Sequence, residues 1–170
     1  KLADITIEKG LKSLGPVSLP TKFYPVVFSN ETFSDLLSVF SGLYSAESAY
    51  RHLTPYENKV GESIAQSNFN LIDDPLHEKA YFQVPFDDEG VACKKKYIIK
   101  NGVFQGFIND LKMASIFNQD PSGNSFSGGI QTTNLYLEPG EKRFDALIET
   151  ISDGVYITEL VGLHAGVKAI

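Results

Sequence analysis

The stretch KKKYIIKNGVFQGF, residues 94–107, carries the strongest indication of fold in the sequence. Two runs of strand-forming residues flank the pair Asn101-Gly102. Both residues tolerate the positive φ values of a type I′ turn, so the pair between two such runs predicts a β-hairpin. A hairpin joins antiparallel strands, whereas parallel strands need a longer crossover connection.

Helix and strand patterns alternate along the rest of the chain. Ser29 is a natural N-cap for a helix whose apolar residues recur at helical spacing from Phe33 to Tyr44. Phe28 and Phe33 then occupy the positions of a hydrophobic staple. Further helices are predicted within 3–14, 45–53, 59–66, 109–117 and 144–151, strands at 23–28, 69–72, 132–137 and 155–161, and a loop at 121–129. This interleaving, with a tight hairpin, favours an α+β fold with a largely antiparallel sheet.

The composition excludes several classes of protein. The 15 Lys and Arg residues against 21 Asp and Glu residues give a net charge of -6, which argues against direct nucleic-acid binding. The sequence has no apolar run of about 18 residues, so no membrane-spanning helix is predicted. The single Cys93 cannot form an internal disulfide, which fits a reducing compartment.

The residues that most often carry chemistry do not form a recognisable motif. His52, His77 and His164 lie far apart, and none has a partner at a metal-ligand spacing. Cys93 falls in a predicted strand just before Lys94, and neighbouring cations lower the pKa of a thiol. Because side chains alternate across a strand, Cys93 and Lys94 would face opposite ways, which favours an inward, inert cysteine.

Four residues, Asp87, Asp88, Glu89 and Gly90, form an acidic turn with two open interpretations. The carboxylates could hold a cation or act as acid and base in a hydrolase. They could instead form a polar turn in which Asp side chains accept hydrogen bonds from backbone N–H groups.

Several segments, in this order, resemble the C-terminal domain of the TldD/PmbA family, whose members are also called modulators of DNA gyrase. The segments are PVVFSNETFSDLLSVFSG (25–42), GESIAQSNFNLIDDP (61–75), PFDDEGVACKKKYIIKNGVFQGFINDLKMA (85–114), SGN (122–124), TTNLYLEPG (132–140) and DGVYITELVGLHAG (153–166). The resemblance implies a barrel-like antiparallel sheet with several helices. It also implies that residues 1–170 are a single domain of a longer protein, most of the C-terminal domain, with the N-terminal domain absent.

The strand-to-helix corner at residues 28–34 distinguishes the two branches of that family. In the TldD branch this corner carries HExxxH, in which two histidines bind zinc and the Glu is the general base. The matching residues are Ser29, Asn30 and Ser34, so serines replace both histidines and an asparagine replaces the glutamate. This pattern resembles the PmbA branch, also called TldE, which lacks the metal site.

The resemblance implies a subunit of a cytoplasmic, heterodimeric zinc protease that cuts unfolded or leader-bearing peptides. By that resemblance this chain has no catalytic residue and no metal, and zinc is expected only in a TldD-like partner. The acidic turn is then a candidate contact for substrate or partner, and the chain alone could form a homodimer. The alternatives are a regulatory module acting on DNA gyrase and an independent hydrolase that uses the carboxylates of the acidic turn.

Overall fold

A computed structural model describes residues 2–151 and 153–163. The helices are α1 (Leu2–Lys12), α2 (Asn30–Phe40), α3 (Ala46–Tyr50), α4 (Leu111–Phe117) and α5 (Phe144–Glu149), and a 3₁₀ turn, Ser41–Tyr44, continues α2. The strands are β1 (Val26–Phe28), β2 (Leu71–Asp73), β3 (Lys96–Lys100), β4 (Val103–Phe104), β5 (Ser125–Phe126), β6 (Gly129–Ile130), β7 (Leu135–Leu137) and β8 (Val155–Ile157).

The strands form three separate sheets. The largest has the order β4-β3-β2-β7 and is antiparallel throughout, β5 and β6 form an antiparallel pair, and β1 and β8 form a parallel pair. The α+β class with mostly antiparallel pairing is therefore confirmed. The expected barrel-like sheet is not found in the described residues, because the short strands belong to three sheets that do not close into a ring.

The predicted hairpin, β3 and β4, forms one side of the four-stranded sheet, with β4 at its edge. Asn101 and Gly102 have φ values of 51° and 77°, as a type I′ turn requires, and Ile99 of β3 pairs with Phe104 of β4. Gly102 also lies directly against the carbonyl oxygens of Ala65 and Gln66, so any side chain there would clash with backbone.

The core packs around this hairpin and the end of α2. Its buried members are Tyr44, Leu71, Ile98, Ile99, Phe104 and Ile108. Phe104 is fully buried, and its ring lies near those of Tyr44, Tyr56 and Phe107. Truncating such a buried Phe to Ala typically costs about 3–5 kcal/mol, so this cluster dominates the stability of the sheet.

Three local predictions are wrong. Residues 59–66 are not helical but run beside β4, where Ser63 bridges Val103. Residues 121–129 are not simply a loop, because they contain β5 and the fully buried Asn124. Cys93 lies before β3 rather than within a strand. For residues 59–66 and 121–129, backbone hydrogen bonds to distant segments override the local composition.

Some elements are shorter than predicted. β1 begins at Val26 rather than at residue 23, and β8 ends at Ile157 rather than at residue 161. Among the described residues no helix has the length and apolar character needed to cross a bilayer.

Candidate functional site

The strand-to-helix corner begins α2 with a side-chain cap. Ser29 has an extended backbone, and its Oγ accepts a hydrogen bond from the Thr32 backbone N–H at 3.1 Å. The same hydroxyl donates to Thr32 Oγ1 at 2.8 Å. The rings of Phe28 and Phe33 lie with their centroids 5.9 Å apart and form the hydrophobic staple. The predicted cap and staple are therefore confirmed.

The side chains at this corner do not fit a zinc ion. The Ser29 hydroxyl is 9% exposed and already engaged with Thr32. Asn30 and Ser34 are exposed, and neither offers the imidazole, thiolate or carboxylate that zinc prefers. Two carboxylates lie nearby in sequence, Glu31 and Asp35, and both are exposed. Glu31 lies 3.5 Å from Lys9 Nζ.

A cavity of about 400 Å³ opens beside the corner. Its apolar lining includes Phe33, Phe144, Leu147 and Tyr156, and Asn30 also borders it. The rings of Phe144 and Tyr156 pack with centroids 5.1 Å apart. Such a lining suits an apolar group.

Asp87 of the acidic turn is nearly buried, with 3% of its surface exposed. Its Oδ1 accepts hydrogen bonds from the backbone N–H groups of Glu89 at 3.1 Å and Val91 at 2.9 Å. Its Oδ2 accepts from the Ser125 N–H at 3.0 Å. Asp87 therefore closes its own turn and attaches it to β5.

The other acidic side chains of the turn also bind backbone. Asp88 Oδ2 accepts from the Ser127 N–H at 2.7 Å, and Glu89 Oε2 accepts from the Leu111 N–H at 2.9 Å. Gly90 has a φ of 78°, which closes the turn. This is the arrangement that the polar-turn interpretation predicts, and nothing in it favours acid–base chemistry. A contact between the turn and a substrate or partner stays a prediction.

A buried polar network lies beyond the acidic turn and was not predicted. Asp73 and Asn124 are both fully buried, and Asn124 Nδ2 donates to Asp73 Oδ2 at 2.8 Å. The backbone N–H and the hydroxyl of Thr133 both donate to Asp73 Oδ1 at 2.7 Å. Lys96 Nζ donates to Asn124 Oδ1 at 2.7 Å and lies 3.6 Å from Asp73 Oδ2. One feature of the sequence could have indicated this network. Asp73 ends an apolar run, and a carboxylate that becomes buried needs hydrogen-bond partners.

Two titratable groups beside this network have shifted pKa values. Burial lowers the pKa of Lys96, and the Asp73 carboxylate opposes part of that effect. Burial raises the pKa of Cys93, and the charge of Asp87 raises it further. The Cys93 thiol donates to the Gly123 carbonyl at 3.1 Å. A buried, protonated thiol of this kind is a poor nucleophile.

The two histidines in the described residues have different neighbours. His52 Nδ1 lies 2.9 Å from Glu57 Oε1, and the His77 ring packs against Tyr136 with centroids 5.0 Å apart. His164 lies outside the described residues. In residues 2–151 and 153–163, no group of three or more His, Cys, Asp or Glu side chains could hold a metal ion.

In the described residues, the acidic turn and the polar network hold distant segments together. The acidic turn fastens β5 and the start of α4, and the polar network fastens β2, β3 and the segment before β7. Carboxylates that accept several hydrogen bonds hold neighbouring segments in fixed positions. Sequence motifs and chemistry alone do not assign the chain a reaction.

A family model described as the PmbA/TldA metallopeptidase C-terminal domain matches residues 21–170. A curated relative, the metalloprotease PmbA homolog of Buchnera aphidicola, is 28% identical over 161 residues, which cover 95% of this chain and 35% of that protein. A metalloprotease of Archaeoglobus fulgidus is 33% identical over 133 residues, which cover 75% of this chain and 30% of that protein.

Solved structures show the same relationship. A Thermotoga maritima protein described as a candidate modulator of a DNA gyrase superposes with a TM-score of 0.88 at 39% identity, covering 94% of this chain and 37% of that one. TldE from Thermococcus kodakarensis superposes with a TM-score of 0.75 at 32% identity, covering 84% of this chain and 34% of that one.

The chain thus spans about a third of the length of these relatives. The match covers residues 21–170 and is supported by both sequence and fold. The chain therefore belongs to the PmbA/TldD metallopeptidase family and corresponds to its C-terminal domain.

Proposed function

We propose that this chain is part of a PmbA/TldE-type subunit that is not catalytic itself and works with a TldD-like, zinc-binding partner in a protease complex. The observation that carries the proposal is the corner at residues 28–34. There Ser29 is occupied as a helix cap, while Asn30 and Ser34 offer no zinc ligands. A metallopeptidase family member without metal ligands at that corner needs another subunit to supply the metal.

The similarity to TldE of Thermococcus kodakarensis and to PmbA of Buchnera aphidicola supports the same branch. The substrates of the complex are unfolded or leader-bearing peptides, and its location is the cytoplasm. The acidic turn, Asp87 to Gly90, is a contact for the partner or substrate. In the absence of the partner, the subunit forms a homodimer.

The test is co-expression of the full-length protein with a relative that carries HExxxH. The two are expected to co-purify as a complex, and the complex is expected to cleave an unfolded substrate such as β-casein only when zinc is present. The full-length protein alone should cleave nothing and bind no zinc stoichiometrically. Peptide hydrolysis by the protein alone, or one tightly bound zinc per chain, would overturn the proposal.

A second candidate function is regulation of DNA gyrase, favoured by the description of the Thermotoga maritima relative. The net charge of -6 means that such an effect would act on the gyrase protein and not through DNA. A pull-down from native extract separates the two functions. Recovery of a HExxxH relative supports the protease subunit, and recovery of gyrase without such a relative supports the modulator.

A further inference from the structure

His52 has a backbone conformation that histidine rarely adopts. Its φ is 56°, in the left-handed region, and it follows the last turn of α3. The His52 N–H donates to the Ala49 carbonyl at 3.0 Å, and the Leu53 N–H donates to the Ser48 carbonyl at 2.8 Å. These two bonds define a Schellman motif, whose left-handed position is usually glycine because a Cβ is strained there. The backbone alone would therefore favour glycine at this position.

A carboxylate holds the His52 side chain. Its Nδ1 lies 2.9 Å from both Oε1 and Oε2 of Glu57. Because an ionised carboxylate only accepts hydrogen bonds, Nδ1 carries the proton that they share. In the neutral ring, Nε2 is then an acceptor. The pair therefore presents two acceptor groups, the remaining lone pairs of the Glu57 carboxylate and His52 Nε2.

Among the described residues, no lysine or arginine forms an ion pair with Glu57. The neighbouring cations pair elsewhere: Arg51 Nη2 lies 2.6 Å from Glu47 Oε1, and Lys59 Nζ lies 2.6 Å from Glu62 Oε2. The Glu57 side chain is only 36% exposed, so its carboxylate is partly withdrawn from water. A partly buried carboxylate in this setting attracts a cation from outside the chain.

A cavity of about 350 Å³, which we call the aromatic cavity, is bordered by His52 and Glu57. Tyr50, Phe107 and Phe117 line it, and the rings of Tyr50 and Phe117 meet edge to face with centroids 6.5 Å apart. Aromatic ring faces attract cations, and they stack on the planar guanidinium group of arginine better than on the compact ammonium group of lysine. The aromatic cavity therefore combines a carboxylate with surfaces that suit a guanidinium group.

We propose that the aromatic cavity binds an arginine side chain of another protein, with the guanidinium group on the Glu57 carboxylate and against the rings of Tyr50 and Phe117. A guanidinium group has five N–H donors and no acceptor, which complements the acceptors of Glu57 and His52. The net charge of -6 also favours the approach of a positively charged surface. The aromatic cavity shares no residue with the strand-to-helix corner or the acidic turn, so it is a separate contact.

A free small molecule is a weaker occupant of the aromatic cavity. Small-ligand sites typically enclose about 70–90% of the ligand surface. Here Tyr50 is 54% exposed and Phe117 is 40% exposed, so the cavity is open to solvent. An arginine carried by a protein needs only its head group in the cavity, because the surrounding interface excludes water from the contact.

The first test titrates the full-length protein with N-acetyl-L-arginine amide and follows the methyl resonances of Ala49 and Val60, which line the aromatic cavity. N-acetyl-L-citrulline amide is the matched probe, because it keeps the shape of arginine and lacks the charge. The citrulline probe should bind about tenfold more weakly, since the charge-assisted hydrogen bonds to Glu57 are lost. Equal affinity of the two probes overturns the proposal.

A third probe, propylguanidinium, separates the two sources of a guanidinium group. It has the same head group as arginine but no peptide groups. Its affinity should be equal to that of the arginine probe or lower, because the head group supplies the binding. Tighter binding of propylguanidinium overturns the assignment to a protein side chain.

The second test compares Glu57→Gln with Glu62→Gln in the full-length protein. Each variant removes one negative charge, but of the two residues only Glu57 borders the aromatic cavity. Glu57→Gln should weaken binding of the arginine probe about tenfold, and Glu62→Gln should change it by less than about twofold. Equal losses would mean that the probe responds only to net charge, and would overturn the proposal.

The third test uses His52→Gly, which suits the left-handed backbone. Its thermal unfolding temperature should stay close to that of the parent, because glycine relieves the strain at this position. Binding of the arginine probe should nevertheless weaken about threefold or more, because Nε2 is lost and the Glu57 carboxylate is no longer oriented. An affinity equal to that of the parent would show that His52 has no part in the binding and would contradict the proposed pair.

Discussion

The strand-to-helix corner and the acidic turn both look like reactive sites in the sequence, and both use their polar atoms on backbone. The two regions differ in how far along the chain their hydrogen bonds reach. The Ser29 hydroxyl binds a residue three positions away, whereas Asp87 and Asp88 reach Ser125 and Ser127. The corner is a local device that begins one helix, and the acidic turn joins segments far apart in the chain.

This difference in range indicates which side chains can be replaced at a small cost in stability. A helix cap contributes typically about 1 kcal/mol and has several interchangeable residue types. A buried carboxylate that satisfies three N–H groups has no equivalent among the other side chains. Substitutions at the corner should therefore disturb the fold less than substitutions at Asp87.

The largest effect is expected at Asp87. The Asp87→Ala variant leaves the buried Ser125 N–H and two turn N–H groups without acceptors, and should lower the free energy of unfolding by about 3 kcal/mol. Asp88→Ala is the matched control and should cost about 1 kcal/mol or less, because its one such bond is exposed. Urea denaturation measures both. Equal losses would show that the acidic turn is not anchored through Asp87.

Alkaline pH should lower the stability of the region around Tyr44, which ends the 3₁₀ turn that continues α2. Burial raises the pKa of Tyr44 to about 12, with a smaller effect from Tyr56. Because the folded pKa lies above the ordinary value of 10.0, stability is retained below pH 10 and falls as the pH rises to 12, by at most about 3 kcal/mol.

Denaturation at a series of pH values checks this, with Tyr44→Phe as the control that should lose the dependence. Amide exchange should report loosening of α2 before that of the acidic turn. If the Tyr44→Phe variant loses as much stability at alkaline pH as the parent, another titratable group causes that loss.

A smaller effect is expected at the corner itself. Ser29→Ala removes the cap acceptor for the Thr32 N–H and should cost about 1 kcal/mol. Ser34→Ala, at an exposed helical position in the same motif, should change stability by less than about 0.5 kcal/mol. Thermal unfolding of the two variants separates a capping role from a general sensitivity of the corner. A larger loss of stability in Ser34→Ala than in Ser29→Ala would contradict the proposal that the corner contributes mainly through the Ser29 cap.

No effect on metal affinity is expected from restoring the motif. The combined variant Ser29→His, Asn30→Glu and Ser34→His supplies two imidazoles, but we identify no counterpart of the third ligand of a TldD-type zinc site in the described residues. Isothermal titration with zinc should therefore detect no nanomolar binding, while the parent serves as the blank. Nanomolar affinity would mean that the corner retains more of a metal site than its side chains indicate.

Much of the local structure could be predicted from the sequence. Asn101-Gly102 specified the hairpin and Ser29 the start of α2, because turns and caps depend on residues within four positions. For α4 the sequence left Asn109 and Asp110 as alternative caps, and the structure has Asp110. The segment at 59–66 could not be assigned correctly. Its conformation depends on backbone bonds to β4, which lies about 40 residues further along the chain.

The sequence by itself determined the α+β class, the hairpin, the helix starts and, through the matching segments, the family. Tertiary structure decided the arrangement into three sheets, the partners of Asp87, and the burial of Asp73 with Asn124 and Lys96. Local patterns fix dihedral angles because they act over a few residues. The pairing of distant polar groups is settled only when packing removes them from water and leaves them one set of partners.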